Sequence, residues 1–192
     1  MKELKMKKAI FLDRDGTLNV EKKYLYREKD LEFEKGTVEA LTILRNLGYL
    51  LIVVTNQSGI ARQYYTEEDL KRFHQAFQRK LSAFGLKIDK FYYCPHHPEK
   101  GIGEYKLDCS CRKPKPGMLE QGISEFEIDR KSSYMVGDKY ADVQAGMAAG
   151  VSSILVRTGY GKEEEQKLQE GEARVFDNLL AFAQDRKQRE SL

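Results

Sequence analysis

Four short polar segments carry the residues that could do chemistry in this chain: DRDGTLN (13–19), TNQSG (55–59), CRKPKPG (111–117) and GDKYAD (137–142). Their reactive side chains are Asp13, Asp15, Thr55, Lys113, Asp138 and Asp142. Carboxylates are the ligands that hard cations such as Mg²⁺ prefer. A hydroxyl and an ammonium group can neutralise phosphoryl oxygens during transfer. The combination predicts phosphoryl-transfer chemistry that is supported by a divalent cation.

Each segment taken alone is also compatible with a purely structural role. DRDG resembles the start of a calcium loop, but Tyr24 occupies the twelfth position from Asp13, where such a loop needs Glu. Thr55 alone is typical of a turn at a strand end, and Lys113 alone of a solvated charge. Acids such as those in 137–142 are favoured at a helix N-terminus. The order and placement of all four segments favour one shared site.

The elements that must position these segments alternate between strand and helix. Solid apolar runs predict buried strands at 7–13, 49–56, 90–94, 132–138 and 152–159. Helical periodicity predicts helices at 38–48, 66–85, 115–128 and 139–150, and 173–183 reads as a short strand followed by a terminal helix. We therefore predict an α/β fold, a three-layer Rossmann-like parallel sheet with helices on both faces. Ligands of such sheets bind beyond the carboxyl ends of the strands, where the polar segments lie.

Length and composition predict one globular domain over residues 1–192, with a charged C-terminal tail from about 162. The 33 basic and 30 acidic residues leave a net charge of +3, which does not favour nucleic acid or a membrane surface as partner. The longest apolar run, YLLIVV at 49–54, is too short to span a bilayer. A cytoplasmic monomer is the expectation.

The three cysteines, Cys94, Cys109 and Cys111, lie close together, and His96 and His97 lie among them. This clustering favours a metal over disulfide pairing. Three thiols and one imidazole form a closed four-ligand set, which is typical of structural rather than catalytic zinc. We expect such a zinc to fold the loop of residues 94–111, called the zinc loop below. Spacing alone leaves open whether His96 or His97 is the fourth ligand.

The four polar segments and the cysteine-containing loop resemble those of a known family. DRDGT, TNQSG, CRKP and GDKYAD resemble, in this order, the four motifs of the haloacid dehalogenase-like (HAD) phosphatases. FLDRDGTLN, VVTNQSGIAR, YCPHHP, CSCRKPKPGML and YMVGDK are similar to the branch that contains heptose 1,7-bisphosphate phosphatases and histidinol phosphatases. The resemblance runs from about Lys8 to Gly161. It implies a HAD fold with a minimal cap, formed by the zinc loop.

The resemblance also implies a role for each reactive residue. Asp13 is the expected nucleophile, which forms an aspartyl phosphate, and Asp15 is the expected acid and then base. Mg²⁺ would be held by the Asp13 side chain, the Asp15 backbone carbonyl and Asp138. Thr55 and Lys113 would contact the phosphoryl oxygens. Asp142 is expected to pair with Lys113 or with a metal-bound water.

The same resemblance supplies a zinc set and a set of substrate contacts. The implied zinc ligands are Cys94, His96, Cys109 and Cys111. The implied substrate contacts are Glu21, Lys22, Lys23, Tyr24, Thr55, Asn56, Gln57, Ser58, Arg112, Lys113 and Lys139. Two places depart from the family pattern. Asp-x-Gly-Tyr is replaced by Glu-Lys-Lys-Tyr at 21–24, and an Arg-Gly pair is replaced by Arg62-Gln63.

The implied activity is that of a Mg²⁺-dependent phosphomonoesterase. It would remove the 7-phosphate of D-glycero-D-manno-heptose 1,7-bisphosphate to give heptose 1-phosphate, in nucleotide-heptose synthesis for a cell-surface glycan such as the lipopolysaccharide core. The alternatives are a histidinol-phosphate phosphatase, a polynucleotide 3′-phosphatase and a non-catalytic, zinc-stabilised binding module. The small net charge disfavours the polynucleotide reading, and the complete set of reactive residues disfavours the binding module.

Overall fold

A computed structural model describes residues 6–191 and contains one six-stranded parallel sheet. Its strands are β1 (Ala9–Leu12), β2 (Leu50–Asn56), β3 (Lys90–Cys94), β4 (Tyr134–Gly137), β5 (Ser152–Val156) and β6 (Arg174–Phe176). The strand order is β3-β2-β1-β4-β5-β6, and every neighbouring pair is parallel. The order places β1 at the centre, between β2 and β4. The predicted strands are all present, with the ends of several trimmed by a few residues.

The helices lie between the strands, as the alternating pattern predicts. They are α1 (Thr37–Asn46), α2 (Ser58–Ala61), α3 (Glu67–Ser82), α4 (Gly117–Phe126), α5 (Tyr140–Ala148), α6 (Gly161–Glu164) and α7 (Leu179–Glu190). Short 3₁₀ turns occur at Glu28–Asp30, Gly103–Tyr105, Arg130–Ser132 and Glu165–Lys167. The sequence reading missed α2 and α6, because four residues are too few to show a helical period.

Both faces of the sheet are buried, which explains why its strands read as solid apolar runs. Ile10 and Leu12 of β1 point to one face, where the core is completed by side chains of α1, α3 and α7. Ala9 and Phe11 point to the other face, which packs against α4 and α5. The alternation follows from the two-residue period of a strand. The predicted three-layer arrangement is confirmed.

The C-terminal segment packs onto this fold, and the short strand and terminal helix expected at 173–183 lie at Arg174–Phe176 and Leu179–Glu190. The segment expected as a charged tail from about 162 contributes β6 to the edge of the sheet and α7 to one of its faces. Phe182 of α7 is fully buried in the core. Across residues 6–191, no helix combines the length and the apolar character needed to cross a membrane.

Candidate active site

The polar segments meet at the carboxyl ends of the central strands, around a cavity of about 620 Å³. The predicted residues that line the cavity are Asp13, Asp15, Glu21, Lys23, Tyr24, Thr55, Asn56, Gln57, Ser58, Arg112, Lys113, Lys139 and Asp142. Asp138 is fully buried and approaches both Asp13 and Asp142. Lys22 is not in the lining, and its ammonium group lies 2.9 Å from Glu32.

Lys113 connects three parts of the site through its ammonium group. Its Nζ lies 2.9 Å from Asp13 Oδ1 and 2.6 Å from Asp142 Oδ1, and it donates to the Val54 carbonyl at 2.8 Å. Burial alone would lower the pKa of Lys113, but the two carboxylates outweigh it and raise that pKa. The side chain therefore stays cationic where a phosphoryl group would need a positive partner.

Both carboxylate oxygens of Asp142 make contacts within the site. Oδ1 meets Lys113, and Oδ2 accepts the backbone N–H of Lys139 at 3.0 Å. The approach is close, since a Cβ on Gly137 would lie 2.1 Å from Asp142 Oδ2. A glycine is therefore required directly before Asp138. The arrangement matches the expected pairing of Asp142 with Lys113.

Asp138 has the features of a cation ligand. One oxygen, Oδ2, accepts the backbone N–H of Tyr160 at 2.9 Å, while Oδ1 is buried without a hydrogen-bond partner. Burial and the nearby Asp13 raise the pKa of Asp138 well above its usual range. Oxygens of Asp13, Asp138 and Asp142 lie within 4.8 Å of one another. A buried carboxylate oxygen without a donor, beside another acid, fits a hard divalent cation such as Mg²⁺.

Asp15 is held by three side chains. Arg14, Asn19 and Gln57 donate hydrogen bonds to its carboxylate at 2.8–3.1 Å. Burial would raise the pKa of Asp15, but these donors, led by Arg14, lower it overall. Arg14 and the Tyr65 hydroxyl, which donates to Gln57 Oε1 at 2.5 Å, were missed by the sequence reading. For Arg14 the available signal is its position between two reactive acids.

Two side chains at the carboxyl end of β2, Asn56 and Gln57, connect neighbouring motifs by hydrogen bonds. Asn56 accepts the backbone N–H of Lys113 at 3.1 Å and donates to the Lys113 carbonyl at 3.0 Å. Gln57 donates to Thr55 Oγ1 at 2.8 Å as well as to Asp15. These bonds fix the Thr55 hydroxyl and the Lys113 backbone relative to Asp13. A site that must position a phosphoryl group needs this kind of rigidity.

The mouth of the cavity is formed by charged and aromatic side chains. Lys139 lies 3.5 Å from Glu21, and the Tyr24 ring packs edge-on against Tyr64 at 4.7 Å between centroids. Lys23 and Tyr24 both adopt left-handed backbone conformations, with φ of 51° and 54°. Few non-glycine residues adopt this conformation. The position of Lys23 explains why the family pattern has glycine there.

The zinc loop brings four ligand atoms together beside the cavity. Cys109 Sγ lies 3.3 Å from Cys94 Sγ and 3.2 Å from Cys111 Sγ, and His96 Nδ1 lies within 3.8 Å of the thiols of Cys94 and Cys111. Zn–S bonds of about 2.3 Å put tetrahedral ligands roughly 3.7 Å apart, so the cluster has nearly the right size. The hydrogen bond between Cys94 and Cys111 raises the pKa of the Cys94 thiol and lowers that of Cys111, so a thiolate is favoured at Cys111. The donor set fits zinc.

His97 lies outside that cluster of four ligand atoms. Its Nδ1 accepts the backbone N–H groups of Glu99 and Lys100, at 3.3 and 3.1 Å. His97 therefore closes a turn of the zinc loop. Arg112 links the loop to the cavity, because its Nη1 donates to the His96 carbonyl at 3.1 Å.

Comparison with known proteins identifies HAD-like hydrolases and phosphatases as relatives of this chain. A hydrolase-like family model described as "HAD-hyrolase-like" matches residues 110–182. The D-glycero-beta-D-manno-heptose-1,7-bisphosphate 7-phosphatase of Pasteurella multocida is 50% identical over 165 residues, which cover 85% of this chain and 89% of that protein. The Escherichia coli K12 protein of the same name is 46% identical over 152 residues, or 79% of this chain and 80% of that one.

Solved structures agree with these relatives. The D,D-heptose 1,7-bisphosphate phosphatase of B. bronchiseptica, complexed with magnesium and phosphate, superposes with a TM-score of 0.85 at 32% identity. The alignment covers 95% of this chain and 99% of that one. A Burkholderia thailandensis structure of the same enzyme gives 0.69 at 34% identity, covering 93% and 97% of the two chains. The chain belongs to the heptose 1,7-bisphosphate phosphatase family of HAD-like hydrolases.

Proposed function

We propose that this chain hydrolyses the 7-phosphate of D-glycero-D-manno-heptose 1,7-bisphosphate, releasing heptose 1-phosphate and inorganic phosphate. The observation that carries the proposal is the convergence of Asp13, Asp15, Thr55 and Lys113 on one cavity. Relatives named for the β-anomer are half identical to this chain, and we extend that anomer to it. The alternative histidinol phosphatase is not favoured by any named relative described above.

The chemistry divides between the two acids of the first motif. Asp13 attacks phosphorus, while Asp15, which must first take up a proton because, against the effect of burial, Arg14 and its other donors lower its pKa, gives that proton to the departing sugar oxygen. Asp15, now a carboxylate, takes a proton from the water that attacks the aspartyl phosphate. Thr55 and Lys113 hold the phosphoryl oxygens, and Asp142 keeps Lys113 in place.

Mg²⁺ fits the acids beneath the cavity. We assign it to the Asp13 and Asp138 side chains and the Asp15 backbone carbonyl. The buried, unpartnered Asp138 Oδ1 supports this assignment. When bound, the ion supplies positive charge that reduces repulsion between the Asp13 carboxylate and the phosphate dianion.

The remainder of the substrate is assigned to the mouth of the cavity. Lys23, Arg112 and Lys139 supply cations for the second phosphate, and the planar guanidinium group of Arg112 suits bidentate contact. Glu21, Tyr24 and Ser58 line the space left for the sugar. Asn56 and Gln57 contribute by fixing Lys113, Thr55 and Asp15. Lys22 is omitted from the proposed contacts because it pairs with Glu32.

Zinc is proposed as a structural ion held by Cys94, His96, Cys109 and Cys111. Four protein ligands leave no open coordination position, so this ion takes no part in catalysis. It shapes the zinc loop, from which Arg112 reaches the cavity.

The test is phosphate release from a substrate panel by the protein loaded with Mg²⁺. The panel holds both anomers of heptose 1,7-bisphosphate, fructose 1,6-bisphosphate and histidinol phosphate. We expect kcat/KM for the β-anomer to exceed the others by at least about tenfold. Asp13→Asn, purified in parallel, reports contaminating phosphatase. A flat profile, or a preference for histidinol phosphate, would overturn the assignment.

A further inference from the structure

Arg14 is the largest side chain that is fully buried within residues 6–191. A buried guanidinium group is strongly unfavourable unless it is paired and hydrogen-bonded. Here it is paired, since Nε donates to Asp15 Oδ1 at 3.1 Å and Nη2 to Asp15 Oδ2 at 2.8 Å. This side-on, two-pronged contact defines the plane of the Asp15 carboxylate as well as its distance.

The other donors of Arg14 tie it to separate parts of the fold. Nη2 also donates to the Leu25 carbonyl at 2.9 Å, and Nη1 lies 3.2 Å from His74 Nε2. The guanidinium group stacks over the Phe73 ring at 4.6 Å. Through these contacts the middle of α3 and the loop after Val20 both hold Arg14 in place.

His74 can make its contact only as a neutral acceptor. Arginine has donors and no acceptor, so the lone pair of His74 Nε2 must face Arg14 Nη1. Burial, and then the charge of Arg14, lower the pKa of His74 well below its usual range. Its ring stacks on Phe91 at 4.4 Å, which fixes its orientation. His74, a residue of α3 outside the cavity lining, thereby helps to fix the position of Arg14.

We propose that Arg14 is a positioning residue for Asp15, and that His74 acts through Arg14 by fixing its guanidinium group. The inference rests on the proposed phosphatase function and adds the control of its proton-transfer geometry. In the first step the Asp13–phosphorus bond forms, the bond from phosphorus to the sugar oxygen breaks, and the Asp15 proton passes to that oxygen. In the second step water bonds to phosphorus, its proton passes to Asp15, and the Asp13–phosphorus bond breaks to release phosphate.

Both steps need Asp15 in place, but they depend differently on the leaving group. A sugar alkoxide leaves poorly and needs the proton, whereas an aryl oxide such as p-nitrophenolate leaves without it. The parameter kcat/KM covers the steps up to the aspartyl phosphate, and kcat also includes its hydrolysis. Misplacing Asp15 therefore affects the two classes of substrate differently.

The experiment compares Arg14→Lys with the unaltered protein on heptose bisphosphate and on p-nitrophenyl phosphate. For the sugar ester, we expect both kcat and kcat/KM to fall at least about tenfold. For the aryl ester, we expect kcat to fall, kcat/KM to stay within about twofold, and a burst of p-nitrophenol to appear. Arg79→Lys on α3, where the arginine is exposed and pairs with Glu28, is the matched control.

A merely structural role would give a different pattern. Loss of folded protein lowers kcat and kcat/KM equally for both esters, and that result would overturn the proposal. If Arg14→Lys does not fold, His74→Leu is expected to give the same split more weakly, with His74→Gln restoring most of the loss because its amide oxygen is an acceptor. An equal loss in His74→Leu, or no loss, would also overturn it. Failure of the unaltered protein on both esters would instead refute the proposed function.

Discussion

The ammonium group of Lys113 lies 2.6 Å from Asp142 Oδ1, and both side chains are only 2% exposed. The same ammonium group also meets Asp13. Two buried carboxylates therefore share one cation, so we expect Lys113 to matter for folding as well as for the proposed catalysis. Asp142 lies in α5, and Lys113 lies just after the zinc loop. Their ion pair therefore connects these two parts of the chain.

Removing the Lys113 charge is expected to reduce both activity and stability. In Lys113→Met, the acids Asp13 and Asp142 lose their shared partner, which costs about 3–5 kcal/mol in the free energy of unfolding. Turnover is expected to fall at least about 100-fold. Denaturant titration and phosphate release measure the two effects. Lys115→Met, at an exposed lysine paired with Asp108, is the control and should change neither. A stable and active Lys113→Met would contradict the shared-cation description.

Replacing Asp13, the proposed nucleophile, is expected to remove activity while leaving the fold in place. Asp13→Asn keeps the shape of the side chain, and Lys113 retains Asp142 and the Val54 carbonyl as partners. We expect turnover to fall at least about 1,000-fold, because an amide cannot form the aspartyl phosphate. Phosphate release is the assay, and circular dichroism checks the fold. Asp108→Asn at the surface is the matched control, and activity retained in Asp13→Asn would mean that another group attacks phosphorus.

Zinc removal is expected to destabilise the zinc loop. Elemental analysis should find about one zinc per chain, as four closed ligands predict. Treatment with a strong chelator, followed by return of Mg²⁺ alone, should lower the melting temperature and reduce activity, since Arg112 is attached to this loop. Cys109→Ser should bind less zinc and resemble the chelated protein. Zinc-free protein that, with Mg²⁺ present, keeps its melting temperature and turnover would contradict a structural role for zinc.

Gln63 offers a way to stabilise the chain without touching the cavity. It is exposed and adopts φ of 60°, a conformation that glycine accepts more easily. Gln63→Gly should therefore raise the free energy of unfolding by about 0.5–1 kcal/mol. Thermal unfolding measures the gain, which Gln63→Ala should not reproduce because alanine meets the same backbone penalty. A lower melting temperature for Gln63→Gly would show that its side chain contributes more than the backbone strain costs.

Acid is expected to weaken the contact between α7 and the start of β1. Burial alone would raise the pKa of Glu190, but hydrogen bonds from Lys8, Tyr49 and Arg186 lower it to about 2. A lowered carboxyl pKa gives stability that is complete above the unfolded value of 4.5 and is lost as the pH falls towards 2. After solvent screening we expect about 1 kcal/mol. Unfolding curves between these pH values should separate the unaltered protein from Glu190→Gln, which should lose less stability as the pH falls.

The strand pattern and the polar segments after each strand were readable from the sequence. Parallel strands have their carboxyl ends at one edge of the sheet. The sequence alone therefore predicts that Asp13, Thr55 and Asp138 approach one another. The cysteine spacing likewise predicted which thiols would meet. Both inferences need only local periodicity and the geometry of a parallel sheet.

The features that the sequence did not predict depend on tertiary contacts. Arg14 looks like a solvated charge, and nothing in a helical pattern marks His74 as its acceptor; each acquires its role only when α3 packs beside the first motif. The same holds for Lys22, which lies outside the cavity lining with its ammonium group beside Glu32. The left-handed backbone at Lys23 and Gln63 is signalled only by the glycines of the family pattern at these positions, because lysine and glutamine themselves do not indicate it.

The contact of Lys8 with Glu190 also has a practical consequence for handling the protein. It joins the residue before β1 to the last residue of α7, at the end of the sheet opposite the cavity. An affinity tag or a surface linkage attached near Lys8 or near Glu190 would lie at the end of the sheet opposite the substrate entrance. Immobilised protein oriented in this way should keep the turnover that it has in free solution.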